Sequence, residues 1–242
     1  MGHDYFRKDF RCNTDDTILS AKNPGKKQKL YIERYKFIRA VFDRDNRNRI
    51  KAGRSPFAVI TGDSTTMLFV DPRLQEYVPG FDIANRGIAG DATYMLLKRV
   101  EADVVPLKPR VIIMVIGGND LLKGRCVSAA LADTRSVLKL LRKRLPNTRI
   151  LIAGVPPVIT WKANTIAPWY NRQVEYMASE MKGVEYMDLY RILGRRDMPG
   201  LKRDYYLSTR RGKFDAVHFN GAGYREWGKY LSRRLREIRA GK

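Results

Sequence analysis

The chain has 242 residues, 44% of them hydrophobic and 10% aromatic, enough for one sizeable core plus an appendage. Lys and Arg number 47 against 25 Asp and Glu, a formal net charge of +22 that fits either an anionic partner or plain solubility. No apolar run approaches the length of a bilayer span and the N-terminus carries no segment of signal-peptide type, so a membrane-embedded chain is not expected; the compartment stays open between the cytoplasm and export after loss of a leader.

Two cysteines, Cys12 and Cys126, lie far apart, which speaks against a disulfide framework and leaves too few thiolates for a zinc or iron–sulfur site. The histidines are also two, His3 in a loose terminus and His218. Chemistry that needs an imidazole must therefore use His218, and neither a metal nor another cofactor is expected. The positive charge is diffuse: residues 1–55 hold 15 basic and 7 acidic residues, residues 221–242 hold 7 and 2. A nucleic-acid arm would be more concentrated, and no specific nucleic-acid motif is visible, so an acidic glycan or anionic membrane surface suits the charge better than DNA.

Residues 1–55 read as a basic N-terminal extension, with a turn or linker at Asn23-Pro24-Gly25-Lys26-Lys27. Tyr31, Tyr35, Ile38 and Phe42, at spacings of four, three and four, predict one amphipathic helix from Lys29 to about Asn46. Residues 56–242 form the main domain. Apolar runs at Phe57–Thr61, Val111–Ile116 and Ile150–Val155, with shorter ones at Phe81–Ala84 and Val184–Leu189, read as strands buried on both faces. Helical stripes separate them: Tyr94, Leu97, Val100 and Val104; then Val127 to Leu145; then Tyr170, Val174, Met177 and Met181; and finally Tyr224, Trp227, Leu231, Leu235 and Ile238. Strand and helix in alternation predict a parallel sheet covered on both faces.

In such a sheet, functional residues collect beyond the C-terminal ends of the strands. The turns there read Gly62-Asp63-Ser64, then Asn85-Arg86-Gly87-Ile88-Ala89-Gly90-Asp91, then Gly117-Gly118-Asn119-Asp120; after a charged loop comes Asp215-Ala216-Val217-His218, just before the last helix. Ester cleavage by a serine needs a nucleophile, a base, a group that orients the base, and donors for the oxyanion. Ser64 supplies the first, His218 the second and Asp215 the third. The donors assigned are the backbone N–H groups of Ser64 and Gly90 and the side-chain amide of Asn119. Taken singly, Asn119-Asp120 could cap a helix, Asp215 could be a turn residue and Gly90 could serve backbone geometry.

These four blocks, in this order, resemble those of the SGNH (GDSL) hydrolases, from about Pro56 to Ile238. The segment Asn85 to Asp91 and the closing Asp215 to Trp227 region look closest to the platelet-activating-factor acetylhydrolase-like branch of esterases. The resemblance implies a three-layer α/β/α sandwich with a flavodoxin-like five-stranded parallel sheet, and a metal-free serine esterase acting on a short acyl or O-acetyl group of a carbohydrate or lipid. It supports the roles given to Ser64, Gly90, Asn119, Asp215 and His218. Thr65-Thr66 departs from the aliphatic residue that often follows the tripeptide, Gly118 takes the variable place before Asn119, and residues 1–55 fall outside the pattern. The competing reading is a polyanion-binding module on the same scaffold with weak or vestigial esterase activity. Loops at Thr160–Trp169 and Met198–Lys213 are expected to wall the pocket, with Trp161, Trp169, Tyr205 and Tyr206 either lining it or packing on the surface.

Overall fold

The computed structural model describes residues 5–6, 9–14, 18–19, 23–196, 200–209 and 212–241. His3 and Met198, both named above, lie outside these residues, as does the side chain of Trp161. Five parallel strands form the central sheet: β1 Ala58–Gly62, β2 Ile83–Gly87, β3 Val111–Val115, β4 Arg149–Ala153 and β5 Val184–Tyr186, in the order β2-β1-β3-β4-β5. This is the flavodoxin-like three-layer α/β fold, and its chain reverses direction of winding between β1 and β3, where such sheets open a crevice.

The three central strands, β1, β3 and β4, are mainly apolar on both faces because both faces are covered. On one side Val59, Ile112, Met114, Ile150 and Ile152 pack under α4 Thr93–Val104, α6 Val127–Arg144 and α7 Trp161–Ser179. On the other, Ala58, Ile60, Ile113, Val115 and Leu151 pack under α9 Gly221–Arg239, which buries Tyr224, Trp227, Leu231 and Leu235. Each large apolar side chain so buried contributes about 1.5–3 kcal/mol, which is how a helix with Arg225, Lys229, Arg233, Arg236 and Arg239 on its outer face is held to the sheet. Shorter helices fill the corners: α2 Ser64–Met67, α3 Asp71–Tyr77, α5 Gly118–Leu122 and α8 Leu189–Leu193.

The extension's helix, α1 Lys26–Lys51, is longer than its stripe suggests. It packs Tyr35 and Phe42 onto Ile88, Ala92, Tyr94 and Met95, beside the edge strand β2. Strand β2 runs through Asn85, Arg86 and Gly87, which the sequence assigns to a turn. Those polar residues are tolerated in a strand because tertiary partners satisfy them. Asn85 Nδ2 donates to the carbonyls of Thr66 and Phe69 at 2.8 and 2.9 Å, and Arg86 donates to Asn46 Oδ1 of α1 at 2.7 Å.

Three further expectations are corrected. Cys12 and Cys126 form a disulfide; Asn13 pairs with Arg125 and accepts the Cys126 N–H at 2.7 Å, bringing the two α-carbons to 4.8 Å. Thr160–Trp169 is not a loop but the first half of α7, which accommodates Pro168 inside it. The expected loop at Met198–Lys213 holds, among its described residues, the strand β6 Tyr206–Ser208, which makes a separate antiparallel pair with β7 Phe214–Phe219, the strand that carries Asp215 and His218. Among the described residues no helix is long and apolar enough to cross a membrane.

Candidate active site

Strand β1 ends at Gly62, and Asp63 caps α2 by accepting the Thr65 N–H at 2.8 Å. That cap turns the chain sharply, so Ser64 stands at the start of α2 above the sheet. Tyr224 of α9 braces the turn, donating its hydroxyl to the Thr65 carbonyl at 2.9 Å. Burial pushes the Asp63 carboxyl up to about 6, against the opposing pull of the Thr65 hydrogen bonds and of His218.

Strand β7 brings the imidazole from the far end of the sequence. Its Ala216 carbonyl accepts from the N–H groups of Ile159 and Thr160 at 3.2 and 3.3 Å, which fixes β7 to the segment after β4. His218 Nε2 then lies 2.8 Å from Ser64 Oγ, and His218 Nδ1 lies 3.1 Å from Asp215 Oδ2. The other Asp215 oxygen accepts the backbone N–H groups of Val217 and His218, both at 2.8 Å. Burial raises the Asp215 carboxyl, but the N–H groups of His218 and Val217 and the imidazole outweigh it and hold the group below the usual carboxylate range. An ionised Asp215 keeps a proton on Nδ1 and leaves the Nε2 lone pair for the serine hydroxyl.

The third element is the turn after β3. Gly117 has φ +111, and a β-carbon there would fall 2.5 Å from the Tyr170 hydroxyl, so only glycine lets the chain enter α5 at this angle. Asn119 follows. One of its amide hydrogens goes to the Asp91 carbonyl at 2.9 Å, and the second has no acceptor among the described residues. Asp120, next in sequence, faces inward and accepts from the Thr93 N–H and hydroxyl, both at 2.9 Å.

Ser64, Asn119 and His218 share a cavity of about 110 Å³ whose remaining wall is mostly apolar, with Leu122, Val155, Pro156, Val158, Ala163 and Val217. Gly90 does not line it; the residue sits one position before Asp91, whose carbonyl holds Asn119. Within the described residues neither the Ser64 nor the Gly90 N–H has a hydrogen-bond acceptor. Of the expected wall aromatics, Trp169 is half exposed on α7, while Tyr205 and Tyr206 pack against the core below α9; none of the three lines the cavity.

Sequence reasoning missed the group underneath. Arg99 of α4 is fully buried and holds both halves of the site floor. It pairs with Asp91 at 2.6 Å and Asp103 at 3.0 Å, and donates to the carbonyls of Gly62 at 3.0 Å and Arg86 at 2.9 Å. The signal was present: Met95, Arg99 and Asp103 recur every four residues on the stripe that faces the core, where a charge must find a partner. Lys123 was missed as well; its ammonium donates to the Gly90 carbonyl at 3.0 Å.

The flavodoxin-like sheet thus holds a hydroxyl, an imidazole and a carboxylate in hydrogen-bonded sequence beyond the C-terminal ends of its strands, where open α/β sheets place their ligands. The chain belongs to the GDSL-like lipase/acylhydrolase family, whose model matches residues 54–226, and it is a carboxylic ester hydrolase. Solved structures with the same fold include a protein from Streptococcus pneumonia provisionally described as a platelet activating factor, 23% identical, with TM-score 0.75 over 86% of this chain and 95% of that one. A GDSL-like lipase from Bacteroides thetaiotaomicron is 20% identical, with TM-score 0.62 over 75% and 88% of the two chains. An acetylxylan esterase from Geobacillus stearothermophilus is 20% identical, with TM-score 0.56 over 74% and 93%. No curated protein matches the sequence.

Proposed function

We propose that the enzyme removes a short acyl group, acetyl in the first instance, from an alcohol through an acyl-enzyme on Ser64. The observation that carries this reading is the unbroken line from Ser64 Oγ through His218 to Asp215, at 2.8 and 3.1 Å. His218 Nε2 takes the Ser64 proton as Oγ bonds to the carbonyl carbon, and the same proton passes to the departing alkoxide, which leaves as the alcohol. Water then repeats the sequence, and the acid is released with Ser64 reprotonated. The negative oxygen formed in each half is met by the N–H groups of Ser64 and Gly90 and the free amide hydrogen of Asn119.

The size of the apolar recess supports a short acyl chain. At about 110 Å³ it is well under the roughly 300 Å³ of the smallest pockets that enclose drug-sized ligands. Likeness to an acetylxylan esterase suits an O-acetylated carbohydrate as the natural substrate. Hydrolysis of a chromogenic acetate by wild type and by Ser64→Ala is the test, with an octanoate as comparison. Wild type is expected to prefer the acetate and Ser64→Ala to lose the activity; equal rates in the two proteins would overturn the assignment.

A second observation favours an anionic polymer as the support on which the ester is carried. At the opposite end of the sheet, before β4 and β5, a concavity is lined by Arg135, Lys139, Arg142, Arg149 and Lys182, with Glu180 as its one carboxylate. Salt-dependent retention on an acidic polysaccharide, unchanged by Ser64→Ala, is expected; no retention at physiological salt would remove the idea.

A further inference from the structure

Helix α1 ends before the segment matched by the family begins, yet it is fastened to the same strand ends that carry Ser64 and Gly90. The first fastening is a packing contact. Gly90 has φ +86, and a β-carbon built on it would lie 2.9 Å from Cε2 of Tyr31 and 3.2 Å from its hydroxyl. The Tyr31 ring therefore rests directly on the Gly90 backbone. Among the described residues the one hydrogen-bond partner of its hydroxyl is the Met95 sulfur, at 3.9 Å, so the ring and not a strong hydrogen bond makes the contact. Tyr35, one turn on, backs the ring at a centroid distance of 6.2 Å and is itself buried.

The second fastening is polar and runs beneath the site. Arg39 of α1 donates to Asp103 Oδ1 at 2.8 Å, and Asp103 Oδ2 accepts from Arg99 at 3.0 Å. Arg99 in turn holds Asp91 and the Gly62 carbonyl. Gly62 is two residues before Ser64, and Asp91 directly follows Gly90. Asn46 closes the loop from the C-terminal part of α1, donating to the carbonyls of Ala102 and Asp103 at 3.2 and 3.1 Å. Each backbone donor assigned to the oxyanion is thus within two residues of a group whose place depends on α1.

We propose that α1 is a positioning element of the active site, with Tyr31 and the Arg39–Asp103–Arg99 chain setting the direction of the Gly90 and Ser64 N–H groups. The proposal rests on the assignment of those groups as oxyanion donors. A helix that merely covered the edge strand β2 would add stability without changing the chemical step. Donors act only within about 2.7–3.1 Å of the developing oxyanion, so a displacement smaller than an ångström is enough to matter.

The test compares kcat and KM for a chromogenic acetate in wild type, Tyr31→Ala, Tyr31→Phe, Arg39→Ala and Ser64→Ala, with folding checked by thermal unfolding. Binding of a short alkyl boronic acid is measured in parallel, because its tetrahedral adduct on serine puts an oxygen where the oxyanion forms. Tyr31→Ala is expected to lower kcat by about 30-fold or more with KM changed less than threefold, and to weaken the boronic acid to a similar extent. Tyr31→Phe keeps the ring and is expected to restore most of that loss; Arg39→Ala is expected to lose about tenfold in kcat. If Tyr31→Ala does not fold, Tyr31→Leu takes its place in the same comparison. Folded variants with kcat and boronic-acid affinity within twofold of an active wild type overturn the role of α1 alone. A wild type no faster than Ser64→Ala overturns the esterase assignment and this proposal with it.

Discussion

Replacing Arg99 by methionine keeps an unbranched side chain of comparable bulk but removes a fully buried guanidinium that faces Asp91, Asp103 and two carbonyls. Asp103 retains Arg39, whereas Asp91 loses its charged partner. Breaking a buried ion pair from one side costs about 3–5 kcal/mol, because the remaining charge stays out of water without compensation. We therefore expect a loss of about 4 kcal/mol near neutral pH, against a total of roughly 5–15 kcal/mol for a domain of this kind. The loss should depend on pH, with a sign fixed by Asp91. Burial already pushes that carboxyl up to about 6 with Arg99 in place, and without the cation it must rise further. A raised folded pKa adds stability at low pH and loses it as pH rises, so the variant should be closer to wild type at pH 5 than at pH 8. Urea unfolding followed by the fluorescence of the buried Trp227 reports both values. Adding Asp91→Asn to Arg99→Met should recover about half of the loss at pH 8. A loss under about 1 kcal/mol at pH 8, or one equal at the two pH values, would refute this account of the floor.

Other consequences can be checked on the same protein. Reducing the Cys12–Cys126 bond, which closes a loop of 114 residues, should lower stability by about 2–4 kcal/mol, and Cys12→Ser should match the reduced protein; identical unfolding with and without reductant would show that the bond constrains nothing. Asp63, buried with its carboxyl raised from 3.8 to about 6, should make the wild type lose stability as pH rises from about 4 to about 6 and then level off. Asp63→Asn, which keeps an oxygen for the Thr65 N–H, should be more stable than wild type at pH 7 by roughly 3 kcal/mol and nearly equal to it at pH 4. A difference between the two proteins that does not change with pH would contradict the burial argument.

The sheet is readable from sequence because a strand covered on both faces must be largely apolar; β3 is so throughout, and β1 and β4 are, apart from Thr61 and the exposed Arg149. The apolar run at Phe81–Ala84 stops short of the end of β2 because Asn85 and Arg86 are polar; their acceptors are the carbonyls after β1 and the side chains of α1, which no local pattern contains. The hairpin that carries His218 was hidden for a related reason. Its strands are short, and β7 is held by hydrogen bonds to Ile159 and Thr160 and by the single buried ring of Phe219 rather than by a run of apolar residues. The pairing of Asp215 with His218 is legible all the same, because three residues of spacing and a scarcity of histidine survive any change of local structure. The disulfide was missed because sequence separation says nothing about approach in space. Arg99 escapes a reading by composition because arginine is ordinarily a surface residue, although it lies on the core stripe of its helix.

The assignment of Ser64 as nucleophile is tested most directly by trapping. Incubation with a reactive acetyl ester, rapid acid quench and peptide mass analysis should find one acetyl group on the peptide that contains Ser64, and none in Ser64→Ala. Turnover of the ester with no adduct at Ser64, or with the adduct on another residue, would contradict the account.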